Sequence, residues 1–311
     1  VSGLQAVQEV SVEIDDLVVR SQEAIKYLGV MIDRRLSFRT RVEKVTSSAL
    51  QALNALSAIM RGAGGLSCSR RRLLASVVTS ILRYAGPAWA EDLSPERMVE
   101  LNRIHRLTGI RVAGAFRTIS SAAVSVITGM IPVGILIDED RECYAGRGVA
   151  GIRTEAKRRS LQRWQRDWEN DRYGRWTYRL IPNIERWLSR RYGEINPCLV
   201  QFLSGNGPFR GYLYRIKRAP SPVCPTCGGG VVESPEHVLF VCPRFAVARA
   251  EVDAALGGGV RVENVVQRMC ESKEAFDIAS SCVGRIMERL RVEWREFQRS
   301  QAAGGDQQVQ G

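Results

Sequence analysis

Between residues 224 and 242 the chain sets Cys224, Cys227, His237 and Cys242 in the spacing C-x2-C-x9-H-x4-C. No other feature limits the fold so tightly. Three thiolates and an imidazole can close a tetrahedron around one Zn²⁺. A Cys-x2-Cys turn presents two sulfurs on the same side of a tight knuckle. His237 and Cys242, five apart, are expected on one face of a following helical turn. Pro225, Gly228, Gly229, Gly230 and Pro243 bracket the ligands. Such turn formers suit a knuckle and are excluded from a core helix, which weighs against reading the cysteines as small buried hydrophobes. Four protein ligands leave no open position for water or substrate, so the metal is structural. Three thiolates overcompensate Zn²⁺, so any phosphate must be drawn by cations nearby.

Those cations are present. Arg210, Arg215, Lys217 and Arg218 precede the knuckle, with Tyr212 and Tyr214 among them, and Arg244 and Arg249 follow it. Cations beside flat rings suit single-stranded nucleic acid; the alternative is a stapled scaffold with a solvated basic surface. The whole chain of 311 residues carries a net charge of +12, and its length allows about two domains. The charge is uneven. Residues 1–33 are acidic, with Glu9, Glu13, Asp15, Asp16, Glu23 and Asp33 against Arg20 and Lys26. Segment 141–191 holds fourteen Arg or Lys against six Asp or Glu. That excess needs an anionic partner or costs self-repulsion. Trp164, Trp168, Trp176 and Trp187 lie in the same segment. They read either as stacking surfaces or as core anchors of amphipathic helices, with core favoured for two of Trp164, Trp168 and Trp187. Five cysteines fall outside the zinc set, Cys68, Cys143, Cys198, Cys270 and Cys282. A disulfide framework is not expected, and a reducing compartment fits. No stretch is long and apolar enough to span a membrane, and no secretory leader is read at the N-terminus.

Periodicity gives a mainly α chain. Val10, Val12 and Ile14 alternate as a strand, a polar turn follows at 20–23, and the apolar run 25–32 is expected to complete one β-hairpin. Val42, Val45, Ala49, Leu53, Leu56 and Met60 mark one face of a helix over 38–61, stopped by Gly62, Gly64 and Gly65. Leu73, Leu74, Val77, Val78, Ile81 and Leu82 mark the next, ended by Pro87. A third begins near Ser94-Pro95-Glu96. Residues 118–130 read as helical, and 135–172 as one long polar helix kinked at glycines 146, 148 and 151. Val283, Ile286, Leu290, Trp294 and Phe297 keep 3–4 spacing in a final helix, and a polar, disordered tail begins at Gly304.

Asp15-Asp16 lies between apolar runs, as do the metal-holding carboxylates of polynucleotide polymerases. No aromatic precedes the pair, no third carboxylate lies on an upstream strand, and only fourteen residues come before it. A hairpin turn is the better reading. His105 has no Cys or carboxylate cluster around it and reads as a helix-surface or hydrogen-bonded histidine. No nucleophile elbow, phosphate-binding glycine loop or metal-hydrolase helix is found, and no catalytic residue is assigned.

Lys26-Tyr27-Leu28-Gly29-Val30-Met31-Ile32-Asp33, then Leu36-Ser37-Phe38, resembles the hairpin just after the active site of non-LTR retrotransposon reverse transcriptases. Tyr84-Ala85-Gly86-Pro87-Ala88-Trp89 resembles the end of an early thumb helix in that family. Phe116-Arg117-Thr118-Ile119-Ser120-Ser121-Ala122-Ala123, with Gly129 and Pro132, resembles the stretch beyond. Phe209-Arg210-Gly211-Tyr212-Leu213, the knuckle, and Glu236-His237-Val238-Leu239-Phe240-Val241-Cys242-Pro243-Arg244-Phe245 resemble its C-terminal end. The resemblance is most specific at the knuckle and is greatest to type-1 elements that insert into insect ribosomal RNA genes. It departs at Arg41, where many relatives carry His. The x9 spacer is also longer than in retroviral nucleocapsid knuckles.

The resemblance implies a parent polyprotein with an endonuclease, an RNA-directed DNA polymerase and this C-terminal region, acting in target-primed reverse transcription. In that process a DNA nick supplies the 3′ end that is extended on element RNA. The polymerase carboxylates and their Mg²⁺ belong upstream, and a first residue Val1, not Met, agrees with a C-terminal fragment. The chain alone is expected to bind RNA and DNA and to polymerise nothing. The implied segments are a palm end with primer-grip hairpin (1–37), a helical thumb (38–135), a basic helical linker (136–208), a CCHC zinc knuckle (209–250), C-terminal helices (251–303) and a disordered tail (304–311). Tyr27, Leu28 and Gly29 would position the primer end, and Arg70, Arg71 and Arg72 would hold template–primer. Arg210, Arg215, Lys217, Arg218 and Arg244 would contact RNA or target DNA. A nuclear location with a cytoplasmic phase follows. Two other readings stay open: a standalone zinc-knuckle nucleic-acid-binding protein, and a helical protein-binding scaffold.

Overall fold

The computed structural model describes residues 10–15, 17–60, 66–91 and 93–307, the last six by backbone alone. Glu9, Asp16, Gly62, Gly64, Gly65 and the end of the tail, 308–311, lie outside the described residues. The described residues are mainly helical and fall into two compact units. One comprises Val1–Leu66, Arg70–Thr108 and Ile131–Trp164; the other comprises Ser67–Ser69, Gly109–Met130 and Gln165–Gly311.

The first unit opens with two antiparallel hairpins where one was expected. β1 (Ser11–Ile14) pairs with β2 (Leu17–Arg20), and β3 (Ala24–Tyr27) pairs with β4 (Val30–Asp33). Each apolar run folds back on itself, and the polar stretch 20–23 connects the hairpins instead of turning one. Asp15, at φ 54°, sits in the first turn, as its tolerance of left-handed backbone allows. Leu28 and Gly29, at φ 46° and 82°, make the second. Two central residues with positive φ match the twist of paired strands. Asp33 Oδ1 accepts the amides of Arg35 (3.2 Å) and Ser37 (3.0 Å) and turns the chain into α1 (Arg39–Met60).

Helix α1 buries Val42, Val45, Ala49 and Leu53, the stripe that its 3–4 spacing defines. With Val30, Phe38, Trp89 and Leu101 they form one core, joined by Val78 and Leu82 of α2 (Cys68–Arg83) and Ile104 of α3 (Pro95–Ala113). Fully burying each large side chain contributes roughly 1.5–3 kcal/mol. Pro87 cannot continue α2, and a 3-10 turn at Gly86–Ala88 follows. Gly86 packs closely there: a Cβ would lie 3.1 Å from Ile137 Cγ2, so a side chain would push Ile137 aside.

α4 (Ser121–Thr128) starts where Ser120 Oγ accepts the Ala123 amide at 3.1 Å, a side-chain cap. The single helix expected over 135–172 is two, α5 (Val133–Ala145) and α6 (Ile152–Asn170). Gly148 and Gly151 take φ of 90° and 78°, which breaks the helix and does not merely kink it. Arg83 of α2 and Asp140 of α5 form a two-pronged ion pair at 2.7 and 2.6 Å.

The second unit continues with α7 (Arg175–Leu180), α8 (Ile184–Ser189), α9 (Pro197–Ser204) and α10 (Arg210–Arg215), then the knuckle. It ends in α11 (Ala246–Ala255), α12 (Val262–Met269) and α13 (Lys273–Gln307).

Two sequence-based expectations change here. Trp164, Trp168 and Trp187 are all buried, at 2%, 1% and 1% exposure, so none of the three is a stacking surface. Trp168 and Trp187 also donate Nε1–H to the carbonyls of Ile181 (2.8 Å) and Ile127 (3.3 Å). Four arginines of the excess in 141–191 are met by carboxylates from outside that segment. Arg141 pairs with Glu91, Arg163 with Asp138, Arg179 with Glu236 and Glu263, and Arg186 with Glu271. Charge counted along the chain misses such pairs because they close in space. Among the described residues no single helix is long and apolar enough to cross a membrane.

Candidate metal centre

Val223 and Val232 form an antiparallel bridge that closes the first ligand loop. Within it Cys224 N–H donates to Val231 O (2.8 Å) and Gly228 N–H to Cys224 O (3.0 Å). Gly228, Gly229 and Gly230 all take positive φ, at 58°, 52° and 79°. Three left-handed positions in succession are open only to a run of glycines.

The second ligand pair sits on a π turn, His237–Val241, closed by Cys242 N–H donating to His237 O at 2.7 Å. Ser234 Oγ accepts the His237 amide at its start (3.0 Å). In an α-helix, residues five apart are turned about 140° from one another. The wider π turn returns position i+5 over position i. The expected single face is thus reached by a turn type that concentrates at functional sites.

One donor atom from each of Cys224, Cys227, His237 and Cys242 lies within 4.8 Å of all the others. Cys242 Sγ is 3.9 Å from the sulfurs of both Cys224 and Cys227. A tetrahedron with metal–sulfur bonds of 2.3 Å has sulfur–sulfur edges of about 3.8 Å, whereas a disulfide needs about 2.05 Å. His237 Nε2 is buried with no hydrogen-bond partner, which leaves its lone pair free to bind a metal. Desolvation and the neighbouring Cys242 and Cys224 push the Cys227 thiol up to about 11. Burial, aided by Arg244 and Arg249 against Glu233, holds His237 below its ordinary value and so neutral. A divalent cation takes a neutral imidazole and turns thiols into thiolates. The donor set fits a tetrahedral ion such as Zn²⁺ with no open position.

Around this centre lies a carboxylate that sequence reasoning missed. Glu233, 2% exposed, accepts the Arg210 amide on Oε1 (3.0 Å) and Arg244 on Oε2 (2.7 Å). Arg244 reaches on to Glu293 of α13 at 2.6 Å. No local pattern marks Glu233 as buried, because its partners are 11 and 23 residues away.

The expected nucleic-acid contacts divide accordingly. Arg244 has a side chain only 5% exposed and is ion-paired twice, so it is structural. Tyr212 is buried, its hydroxyl 2.8 Å from Thr118 Oγ1. Arg210 is half-buried, its guanidinium 4.7 Å from the Phe297 ring. Arg215 is exposed and donates to Asn206 Oδ1 at 3.0 Å. Lys217 and Arg218 are exposed, as is Tyr214. Arg249 donates to the Cys242 carbonyl at 2.7 Å and so braces the last ligand.

In the first unit, Tyr27 and Leu28 stand exposed at the tip of the second hairpin, with Gly29 beside them. The tip is fastened from behind. Arg41, 5% exposed, donates to Gly29 O (3.2 Å) and Tyr84 O (2.9 Å). Tyr84 O–H donates to Leu28 O (3.0 Å), and Trp89 Nε1–H donates to Tyr84 O (2.9 Å). On α2, Arg70 and Arg72 are exposed and Arg71 is half-buried.

No family model and no solved structure matches the chain. Four curated proteins do, over 66% to 92% of its length. The Retrovirus-related Pol polyprotein from type-1 retrotransposable element R1 3 of Nasonia vitripennis is 25% identical over 323 residues, covering 92% of this chain and 82% of its own length. The corresponding protein of element R1 4 is 22% identical over 291 residues, covering 86% and 73%. That of element R1 2 is 24% identical over 306 residues, covering 88% and 74%. All four are proteins of one kind, and this chain is a relative of non-LTR retrotransposon Pol polyproteins.

Proposed function

We propose that this chain is the region of a retrotransposon reverse transcriptase beyond the polymerase carboxylates, holding nucleic acid for target-primed reverse transcription. The observation that carries this reading is a Cys3His cluster preceded in the chain by the exposed Arg215, Lys217 and Arg218, in a relative of Pol polyproteins. The second hairpin would set the primer end, with Tyr27 and Leu28 exposed on a turn that Arg41 and Tyr84 keep in place. A primer end needs a fixed surface, because misplacement by about 1 Å can cost 100-fold in rate. Arg70, Arg71 and Arg72 would follow the template–primer backbone. The first hairpin supports a palm remnant. Val12, Ile14, Leu17 and Val19 share one face, each 45–67% exposed, as expected of a sheet that packs on a further element. Zn²⁺ would staple residues 224–242, and Arg215, Lys217 and Arg218 would meet phosphates. Mg²⁺ belongs to the upstream polymerase and endonuclease, and residence would be nuclear with a cytoplasmic phase.

The test is affinity for single-stranded RNA across a salt series, before and after chelation. A steep fall with salt, deepened by loss of metal, is expected. Salt-independent binding to protein alone would put the helical scaffold first. dNTP incorporation by the chain alone would refute the division of labour.

A further inference from the structure

Beyond the knuckle, the second unit holds an open groove of about 810 Å³ between α10 and the last turns of α13. One wall is Tyr214, Arg215, Lys217 and Arg218; the other is Trp294 and Phe297. By sequence the last two read only as the end of an apolar helix stripe. In the structure both are half-buried and present rings to the groove. Three residues apart on α13, they stack at 5.4 Å between centroids and 26° between planes. The Arg210 guanidinium 4.7 Å from Phe297 completes a cation–ring–ring array. None of the described residues lining the groove is acidic, and neither Lys217 nor Arg218 has an ion-pair partner among the described residues.

We infer that this groove binds unpaired nucleotides, with bases stacked on Trp294 and Tyr214, Phe297 backing Trp294, and phosphates held by Arg215, Lys217 and Arg218. This deepens the proposed function and rests on it. A duplex hides its ring faces, so flat hydrophobic rings between cations favour a single strand over a double one. An acidic protein would use the cations and leave the stacked rings without a matching face.

The two walls are held to one spacing. Glu233 accepts the first amide of α10, and Arg244 joins Glu233 to Glu293, the residue before Trp294. A groove fixed before binding loses less entropy when filled.

The test uses the full chain loaded with Zn²⁺ and three fluorescent probes: oligo(U), oligo(dT) and a duplex of mixed sequence. Trp294→Leu and Tyr214→Leu keep apolar bulk and remove a flat face. Each is expected to weaken single-strand binding by about 5- to 150-fold, the worth of one stacked base, while duplex affinity and the salt slope stay unchanged. Lys217→Gln with Arg218→Gln is expected to lower the salt slope by about 1.4. A bromouridine probe irradiated on the wild type should crosslink to Tyr214 or Trp294. Equal loss of single-strand and duplex binding, or crosslinks confined to other residues, overturns the groove while leaving nucleic-acid binding in place. Absence of binding to every probe overturns both readings. A polyglutamate peptide that displaces oligo(U) at equal concentration overturns the groove in favour of an acidic protein. Tighter binding of oligo(U) than oligo(dT) would mark the 2′-hydroxyl as read, and equal affinity would mark a general single-strand site; both support the inference.

Discussion

Arg244→Met removes one cation from the interior and keeps most of its bulk. Glu233 is then left 2% exposed with the Arg210 amide as its remaining side-chain hydrogen bond. Losing one partner of a buried ion pair costs about 3–5 kcal/mol. The pair with Glu293 adds little, because that carboxylate is 31% exposed and partly screened. A domain of ordinary stability, about 5–15 kcal/mol, loses a large share of it. Glu233→Gln keeps an acceptor for the Arg210 amide and should cost less, about 1–3 kcal/mol. The double variant should fall short of the sum by roughly 0.5–3 kcal/mol, since the second change removes a charge already left unpaired. Urea unfolding followed by circular dichroism, with zinc saturating, measures all three. Salt-dependent RNA binding by the same proteins supplies the contrast. A phosphate-contacting arginine would leave stability alone and lower the salt slope by about 0.7 when removed. Destabilisation below about 1 kcal/mol together with a reduced slope would refute the structural role given to Arg244.

Two further expectations follow from buried groups in the first unit. Burial pushes His105 down to about 4 from an ordinary 6.5. The unfolded chain therefore takes up a proton first, so stability is full above about pH 6.5 and is lost as pH falls toward 4, by up to roughly 3 kcal/mol. His105→Gln should flatten the profile between pH 6.5 and 5, and urea midpoints that still fall equally in the variant would refute it. Arg41→Met leaves the Gly29 carbonyl without its donor, at a cost of about 1–3 kcal/mol. Hydrogen exchange at 28–30 should quicken, and unchanged exchange would show that Tyr84 alone holds the tip.

What the sequence made legible was local. The four ligand candidates stood out because two short spacings and their bracketing glycines and prolines agree. The helices up to Pro87 could be read because Val42, Val45, Ala49 and Leu53 repeat at helical spacing with a breaker beyond. The hairpins were under-counted because an apolar run of eight residues looks the same as one strand or as two joined by a tight turn. Trp164 and Trp168 sit four apart on a charged helix, a core spacing that the arginines around them outweighed in the sequence, and both are buried. What stayed hidden was pairing in space. Arg244 and Glu293 are 49 residues apart, and Arg179 meets carboxylates 57 and 84 residues on. The two units also interleave along the chain, with Gly109–Met130 in one and Ile131–Trp164 in the other, an arrangement set by tertiary packing.

The proposed metal and the proposed nucleic-acid groove would be linked by mechanics more than by charge. Three thiolates around Zn²⁺ would leave a net negative centre, so the ion itself would attract no phosphate. Its ligand loops bracket 231–236, and within that span Glu233 is fixed. A buried carboxylate is tolerated only while its partners hold their positions, and those partners are the start of α10 and, through Arg244, the Trp294 end of α13. Closing the loops on a metal would therefore set the spacing of two groove walls that never touch it. Stripping the ion should release Glu233 first, and the groove should lose its selectivity for single strands before its general attraction for anions, because Lys217 and Arg218 keep their charge whether or not the walls are aligned.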